Sequence, residues 1–269
     1  MTNRGIIDAY IKKLLPDAHI ILSEEVWENG FDKNIDLLTF EDFLAEVSDS
    51  IILFVESPGS FCELGAFTYV DEIFSKKLII ALDERYQHSS SFITTGPVLK
   101  AQNNGAHIAY TQVNSGAILS STSFRKTINT LAATAQQQYS IFNRRFINKD
   151  SAAVHLNSFI LEILELLKMS EPITQADLIE LYKSIKGFGR FSFVKKDGTP
   201  FGREIKISYI TKLLEISGII TTSSSLLSLK QRDKIQSFML NYTENSFEKE
   251  RSKIICRKYR YGGALWQLS

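Results

Sequence analysis

One carboxylate in this sequence occupies a position from which it could act on a sugar carbon. Glu63 lies in residues 48–67 (SDSIILFVESPGSFCELGAF), early in a predicted helix that follows a tight turn. Glycosyl transfer passes through an oxocarbenium-like state, which a nearby carboxylate stabilises or traps covalently. Ser60 and Glu63 also have capping-box spacing, in which the Glu only satisfies the N–H of the cap residue. The spacing leaves both roles open.

The elements around Glu63 place it at a ligand-binding edge. Residues 51–55 are predicted to form a buried strand of a parallel sheet, because the run is short and rich in β-branched and aromatic residues. Pro58 and Gly59 mark a sharp turn, and a helix is predicted over residues 61–73. Open α/β sheets bind ligands at the carboxyl ends of their strands. The N–H groups of this loop and helix start are therefore expected to hold phosphate or ribose oxygens.

Two further side chains are candidates near this edge. A second predicted strand, residues 78–82, ends at Asp83, which would project into the same crevice or simply start a turn. Cys62 could act as a nucleophile, although no His lies near it in sequence. Residues 86–105 are predicted to form an irregular loop and a candidate lid.

Two motifs resemble a known group of proteins. ESPGSFCELGAF resembles the strand-to-helix loop of nucleoside 2′-deoxyribosyltransferases. Together with SFITTGPV (residues 91–98), it resembles the toxin effectors of bacterial retron anti-phage systems, which join a deoxyribosyltransferase-like domain to a winged helix-turn-helix. The resemblance implies that Glu63 is the nucleophile. This chain differs from the deoxyribosyltransferases in one respect. They usually carry an acidic residue a few positions before this Glu, whereas this loop has Ser57, and its nearest acidic residue is Glu56. The predicted substrate-binding residues are Glu56, Ser57, Gly59, Ser60 and Asp83.

The resemblance implies a toxin that cleaves N-glycosidic bonds. Its expected substrate is NAD, with nucleosides and nucleotides second, and it needs no cofactor and no metal. A reverse transcriptase bound to its msDNA, a DNA–RNA hybrid, would hold it inactive until phage infection. Pockets of this family are often completed by neighbouring subunits, so a homo-oligomer is expected. The alternatives are a DNA- or protein-binding winged-helix regulator whose first domain senses a nucleotide, and a nucleoside deoxyribosyltransferase.

Charge divides the 269-residue chain into two halves. Residues 1–140 hold 10 Lys/Arg and 17 Asp/Glu, whereas residues 141–269 hold 21 Lys/Arg and 13 Asp/Glu. This contrast predicts two domains, 1–142 and 143–269, with a nucleic-acid or acidic-protein partner for the second. The expected fold is an α/β domain with an open parallel sheet flanked by helices, deoxyribosyltransferase-like and flavodoxin-like, followed by a mainly α winged helix-turn-helix domain. The first strand of the family fold is expected to be missing, trimmed or supplied otherwise.

The second half has the element order of a winged helix-turn-helix. Helices are predicted over 151–169, 174–185 and 204–216, followed by a hairpin over 219–229. Contact with a nucleic-acid backbone is more credible than base reading, because no helix carries an Arg/Asn/Gln-rich face; protein binding is the alternative. The predicted nucleic-acid-binding residues are Lys195, Lys196, Arg203, Lys206, Lys212 and Lys230.

Bulk features predict a cytoplasmic protein. The two cysteines, Cys62 and Cys256, have no metal-binding spacing and fit a reducing compartment. No apolar run approaches 18 residues and no secretory signal is visible at the start, so neither a membrane span nor export is expected. The basic tail, residues 251–260, with nearby tyrosines, would suit phosphate contacts and stacking, or form a terminal strand pair.

Overall fold

The computed structural model describes residues 3–16, 18–30, 35–70, 76–112, 118–138, 152–187 and 189–230. They form two units. The first unit contains Met1–Ala18 and Ser48–Gln138, and the second contains His19–Val47 and Tyr139–Ser269. The predicted boundary between residues 142 and 143, the predicted basic tail and Cys256 lie outside the described residues.

A parallel sheet is the centre of the first unit. Its strands β1 (Ile51–Val55), β2 (Leu78–Asp83) and β3 (His107–Thr111) are ordered β1-β2-β3, with Leu53 opposite Ile80. An α/β fold with a parallel sheet and flanking helices is therefore confirmed. The helical elements of this unit, numbered in chain order with those of the second unit, are α1 (Asn3–Leu14), α4 (Pro58–Val70), a π-helical turn (Thr94–Val98), α5 (Leu99–Asn103) and α6 (Thr122–Gln138), with short 3-10 turns at Glu84–Tyr86 and Ile118–Ser120.

Helices cover both faces of the central strand. Leu78, Ile80 and Leu82 point to the face where α4 and α5 contribute to the core, whereas Ile79 and Ala81 point to the face of α1 and α6. Successive strand residues face opposite sides of a sheet, so a strand covered on both faces must be apolar throughout. This burial explains the unbroken apolar run in β2, and it leaves only the strand ends available for polar chemistry.

The second unit combines helices with two small sheets. The strands β4 (Ala152–His155) and β6 (Phe191–Val194) pair in parallel. The antiparallel strands β5 (Ile173–Thr174), β8 (Leu226–Leu229) and β7 (Ile220–Ser223) form the other sheet, in that order. Its helices are α2 (Ser23–Gly30), α3 (Leu37–Val47), α7 (Leu156–Ser170), α8 (Gln175–Lys186) and α9 (Ile207–Ile216).

The predicted helix–helix–helix–hairpin order is present in α7, α8, α9 and the β7–β8 hairpin. Two of these helices start later than predicted. Residues 152–155 pair as a strand before α7 begins, and α9 begins at Ile207. The assignment of this arrangement as a winged helix-turn-helix stays a prediction.

Residues 19–47 pack with the second unit, although they lie between two segments of the first. Phe40 and Phe43 are fully buried in the same core as Phe159, Leu167 and Ile210. No strand forms at residues 19–22; α2 begins at Ser23 instead, with two glutamates in its first turn that suit the positive end of a helix.

Candidate functional site

The turn before Glu63 starts a helix earlier than the sequence predicts. Helix α4 begins at Pro58 rather than at residue 61. The Ser57 hydroxyl accepts the N–H of Ser60 at 3.3 Å, and the Ser60 hydroxyl accepts the N–H groups of Ser57 at 2.9 Å and Glu56 at 3.0 Å. This reciprocal arrangement has the geometry of a capping box. Because Ser60 is the third residue of α4, the predicted Ser60–Glu63 box is wrong.

Glu63 therefore lies in the second turn of α4, beyond the residues that cap it. The Cα–Cβ bond of a helical residue tilts toward the helix start, and one turn earlier lies Gly59, which has no side chain. A Cβ added at Gly59 would meet only the Ser57 hydroxyl, at 3.8 Å. Glu63 is itself partly exposed. Two serines cap α4, the structural role for which Glu63 also had the required spacing.

The cap also limits how many backbone N–H groups of the loop can donate hydrogen bonds to a ligand. The N–H groups of Glu56, Ser57 and Ser60 all donate to serine hydroxyls of the turn, and the Phe61 N–H donates to the Ser57 carbonyl at 3.1 Å. These four amides are engaged inside the protein and are not available to phosphate oxygens. Substrate binding by Glu56, Ser57, Gly59 and Ser60 stays a prediction.

The second resemblance motif, residues 91–98, forms a matching helix start. The Ser91 N–H donates to the Thr94 hydroxyl at 3.1 Å, and the Thr94 N–H donates to the Ser91 hydroxyl at 3.4 Å. The chain is helical from residue 92 to residue 103, so the predicted irregular loop is wrong for most of 86–105; residues 87–91 and 104–105 are non-helical. The π-helical turn that follows is a rare element that often occurs at functional sites.

The two motifs meet in one core. Phe61 from the first motif and Ile93 from the second both pack on the cluster that contains Val98. Tyr86, at the end of the 3-10 turn after β2, lies between the two motifs in sequence and packs on the same cluster; its ring centroid is 6.1 Å from that of Phe61. Residues that are far apart in sequence thus contribute to one hydrophobic cluster on one face of the sheet.

Asp83 ends β2 at this edge and caps the turn that follows. Its carboxylate accepts the Arg85 N–H at 2.9 Å and the Arg85 Nε–H at 2.8 Å. The hydrogen bond from the Arg85 side chain is the main cause that lowers the pKa of Asp83 below its ordinary value. The turn interpretation of Asp83 is therefore confirmed, and substrate contact by Asp83 stays a prediction.

Three neighbours of Asp83 were missed by sequence reasoning. The Arg85 side chain, paired with Asp83, is 74% exposed, and the Tyr86 ring packs on the hydrophobic cluster beside Phe61. Glu84 accepts a hydrogen bond from Gln112 Nε2 at 2.9 Å, which joins the ends of β2 and β3. The sequence feature that could have identified these residues is their position directly after the apolar run of a predicted strand.

The predicted nucleic-acid-binding residues of the second unit differ in their surroundings. Lys195, Arg203 and Lys212 each form an ion pair with a carboxylate of the same unit. Lys206 places its Nζ atom 5.7 Å from the centroid of the Tyr209 ring. Lys196 and Lys230 are exposed. Nucleic-acid contact by these six residues stays a prediction.

The match to a protein family covers most of the chain. The family described as "STM3845 retron effector protein" matches residues 1–240. The chain belongs to the retron effector family. Its two motifs, predicted from sequence to be those of such an effector, pack on the same hydrophobic core in this member.

Curated relatives of this retron effector come from Escherichia coli. One, named "Retron Ec86 putative ribosyltransferase/DNA-binding protein", is 53% identical over 62 residues, 23% of this chain and 20% of the relative. Another, named "Retron Ec73 putative ribosyltransferase/DNA-binding protein", is 36% identical over 95 residues, 33% of this chain and 29% of the relative. The matches thus span less than a third of the length of either relative.

The described part of this effector has neither a membrane-spanning helix nor a metal-binding cluster. None of its helices has the length and apolar character needed to cross a bilayer. Within the same ranges, no three His, Cys, Asp or Glu side chains are grouped so that they could hold a metal ion. Cys62 is an exposed free thiol on α4.

Proposed function

We propose that this retron effector cleaves N-glycosidic bonds and that Glu63 acts on the anomeric carbon. The proposal rests on the observation that two serines, and not Glu63, cap the start of α4. Ser57 and Ser60 cap the helix, so Glu63 is not needed for that role, and Glu63 is partly exposed. Relatives that are named as ribosyltransferases support glycosyl transfer as the reaction class.

The reaction follows from the chemistry of a carboxylate beside a sugar. The Glu63 carboxylate attacks the anomeric carbon, and the C–N bond breaks with its electron pair leaving on the base. The nicotinamide of NAD leaves as a neutral base, because its ring nitrogen already carries the positive charge, whereas a base that leaves a nucleoside or nucleotide takes up a proton. Water then attacks the ribosyl ester and restores the carboxylate, as in retaining glycoside hydrolysis. NAD is the first substrate to test, followed by nucleosides and nucleotides. If a second base replaces water, the same intermediate gives nucleoside deoxyribosyl transfer.

A direct assay tests the role of Glu63. Purified protein is incubated with NAD, nucleosides and nucleotides, and released bases are identified by mass spectrometry. Glu63→Gln should lower the rate by about 1,000-fold or more, as expected when a nucleophile is lost. Glu28→Gln, which removes an exposed carboxylate of the second unit, is the matched control and should retain the rate. Equal rates for the parent and Glu63→Gln would end the proposal.

The biological role that fits is a toxin of a retron defence system. The effector would act in the cytoplasm on nucleotides of an infected cell, as a homo-oligomer if neighbouring subunits complete its pocket. A reverse transcriptase with its msDNA would keep it inactive, and the second unit, as a winged helix-turn-helix, would contact that particle. Induction without the reverse transcriptase should stop growth and deplete NAD, and Glu63→Gln should abolish both effects.

A second candidate function is a DNA- or protein-binding regulator whose first unit, with a deoxyribosyltransferase-like fold, senses a nucleotide. The names of both relatives include DNA binding, which favours this candidate. The same induction experiment separates the two. A regulator would leave NAD unchanged and would act on growth equally with Glu63 or Gln at that position.

A further inference from the structure

The acidity of the first half of the chain is concentrated in one short segment. Residues 19–47 contain eight Asp/Glu and one Lys, whereas the rest of residues 1–140 contains nine of each sign. This segment, which we name the acidic segment, belongs to the second unit. The charge contrast that suggested two domains therefore lies largely within one unit, where acidic and basic side chains can meet.

Three carboxylates of the acidic segment contact a basic face. Asp42 lies 2.8 Å from the Lys195 ammonium, and the two side chains are 26% and 16% exposed. Asp36 lies 3.3 Å from Arg203 Nε. A third contact involves a backbone donor: the N–H of residue 196 donates to the Glu46 carboxylate at 2.7 Å. We name the surface formed by the Lys195 and Arg203 side chains and the N–H of residue 196 the covered face.

Apolar packing of α3 holds Asp42 and Glu46 in place. Val26, Phe40 and Phe43 are fully buried in the core of the second unit, and Leu44 is buried beside them. Folding of the core already orders α3. Most of the conformational entropy lost by ordering this helix therefore accompanies folding and does not weaken each ion pair. Pairs whose partners are already fixed are stronger than ordinary pairs between flexible surface side chains.

Carboxylate and phosphate oxygens compete for the same donors. Arg and Lys bind both through charge-assisted hydrogen bonds, so a cation paired with an internal carboxylate gains little from a phosphate. We propose that the acidic segment occupies a polyanion-binding surface, the covered face, and thereby suppresses binding of nucleic-acid backbones by the second unit. This inference rests on the proposed nucleic-acid contact of that unit and states how the contact is restrained.

The test compares two triple variants of the full chain that change net charge equally. The release variant is Asp36→Asn, Asp42→Asn and Glu46→Gln, and the control variant is Glu24→Gln, Glu25→Gln and Glu28→Gln on α2. The control carboxylates are exposed and belong to the same segment. Binding of a fluorescent single-stranded DNA of mixed sequence is measured between 50 and 500 mM KCl, with circular dichroism as the folding check.

The release variant should bind at least about 10-fold more tightly than the parent at the lowest salt. Freeing two cations should make the slope of log affinity against log salt steeper by about 1.4, since each phosphate contact on single strands adds roughly 0.7. Adding Lys195→Ala and Arg203→Ala to the release variant should remove the gain. Asp36→Asn alone frees only Arg203 and should give about half the change in slope. Asp36 caps α3 by accepting the Thr39 N–H at 2.9 Å, and Asn keeps this cap, so folding is preserved.

Each other outcome overturns the inference. An equal gain in the control variant would show that overall charge, and not the covered face, governs binding. If the parent binds DNA and neither the release variant nor Asp36→Asn binds more tightly, the covered face is not a polyanion surface, while the proposed nucleic-acid contact stands. If none of these proteins binds DNA at the lowest salt, both the inference and the proposed contact fall.

Discussion

The division between capping and chemistry at the start of α4 can be tested by thermal melting. Ser57→Ala removes the acceptor for the Ser60 N–H, and Ser57→Thr keeps a hydroxyl at the same exposed position. Loss of an N-cap costs about 1 kcal/mol. For a protein of this size, that cost lowers Tm by roughly 2–4 °C. Ser60→Ala should cost more, about 1–3 kcal/mol, because its buried hydroxyl accepts two N–H groups.

Glu63→Gln should behave differently from both serine variants. A surface substitution away from a cap usually changes the free energy of unfolding by no more than about 0.5 kcal/mol. We therefore expect Glu63→Gln to melt within about 2 °C of the parent and to lose glycosidic activity, whereas Ser57→Thr should match the parent in Tm. If Glu63→Gln lowers Tm as much as Ser57→Ala, the carboxylate supports the helix and the reasoning behind its catalytic role is refuted.

Three further predictions concern the framework. Phe40→Ala should cost about 3–5 kcal/mol, and hydrogen exchange should show the loss in the second unit, whose core contains this ring. Because Arg85 lowers the pKa of Asp83, this carboxylate stabilises the fold above its unfolded pKa of about 3.9, and the contribution is lost as pH falls through the lowered value; Asp83→Asn should therefore flatten the acid limb of a stability–pH curve. Gly105→Ala should lower Tm, because its φ is +100°, whereas Gly65→Ala inside α4, with nothing within 4 Å, should raise it slightly.

Local patterns predicted several elements almost to the residue. Strand β1 was predicted over residues 51–55 and occupies Ile51–Val55. The helix predicted over 174–185 is α8, which Thr174 caps by accepting the Asp177 N–H, and the helix predicted to end at 216 is α9, which Gly218 follows with a φ of +72°. Such signals involve residues within a few positions of one another in the chain, so they can be recognised without knowledge of the rest of the fold.

Other local patterns were misleading because two assignments shared the same signal. Ser57, Ser60 and Glu63 are spaced three apart, so the sequence allows a box to begin at either serine. The hydrogen bonds show that it begins at Ser57. Gly96 and Pro97 suggested a loop, but a π-helical turn accommodates the missing N–H of proline inside a helix.

By itself, the sequence determined the α/β class, the order of the parallel strands along the chain and the position of Glu63 beside a strand end. Only the tertiary structure placed residues 19–47 in the second unit, where Asp42 meets Lys195. The physical reason is range. Caps and strand patterns depend on neighbours in the chain, whereas burial of Phe40 and pairing of distant charges depend on which apolar surfaces come together when the whole chain folds.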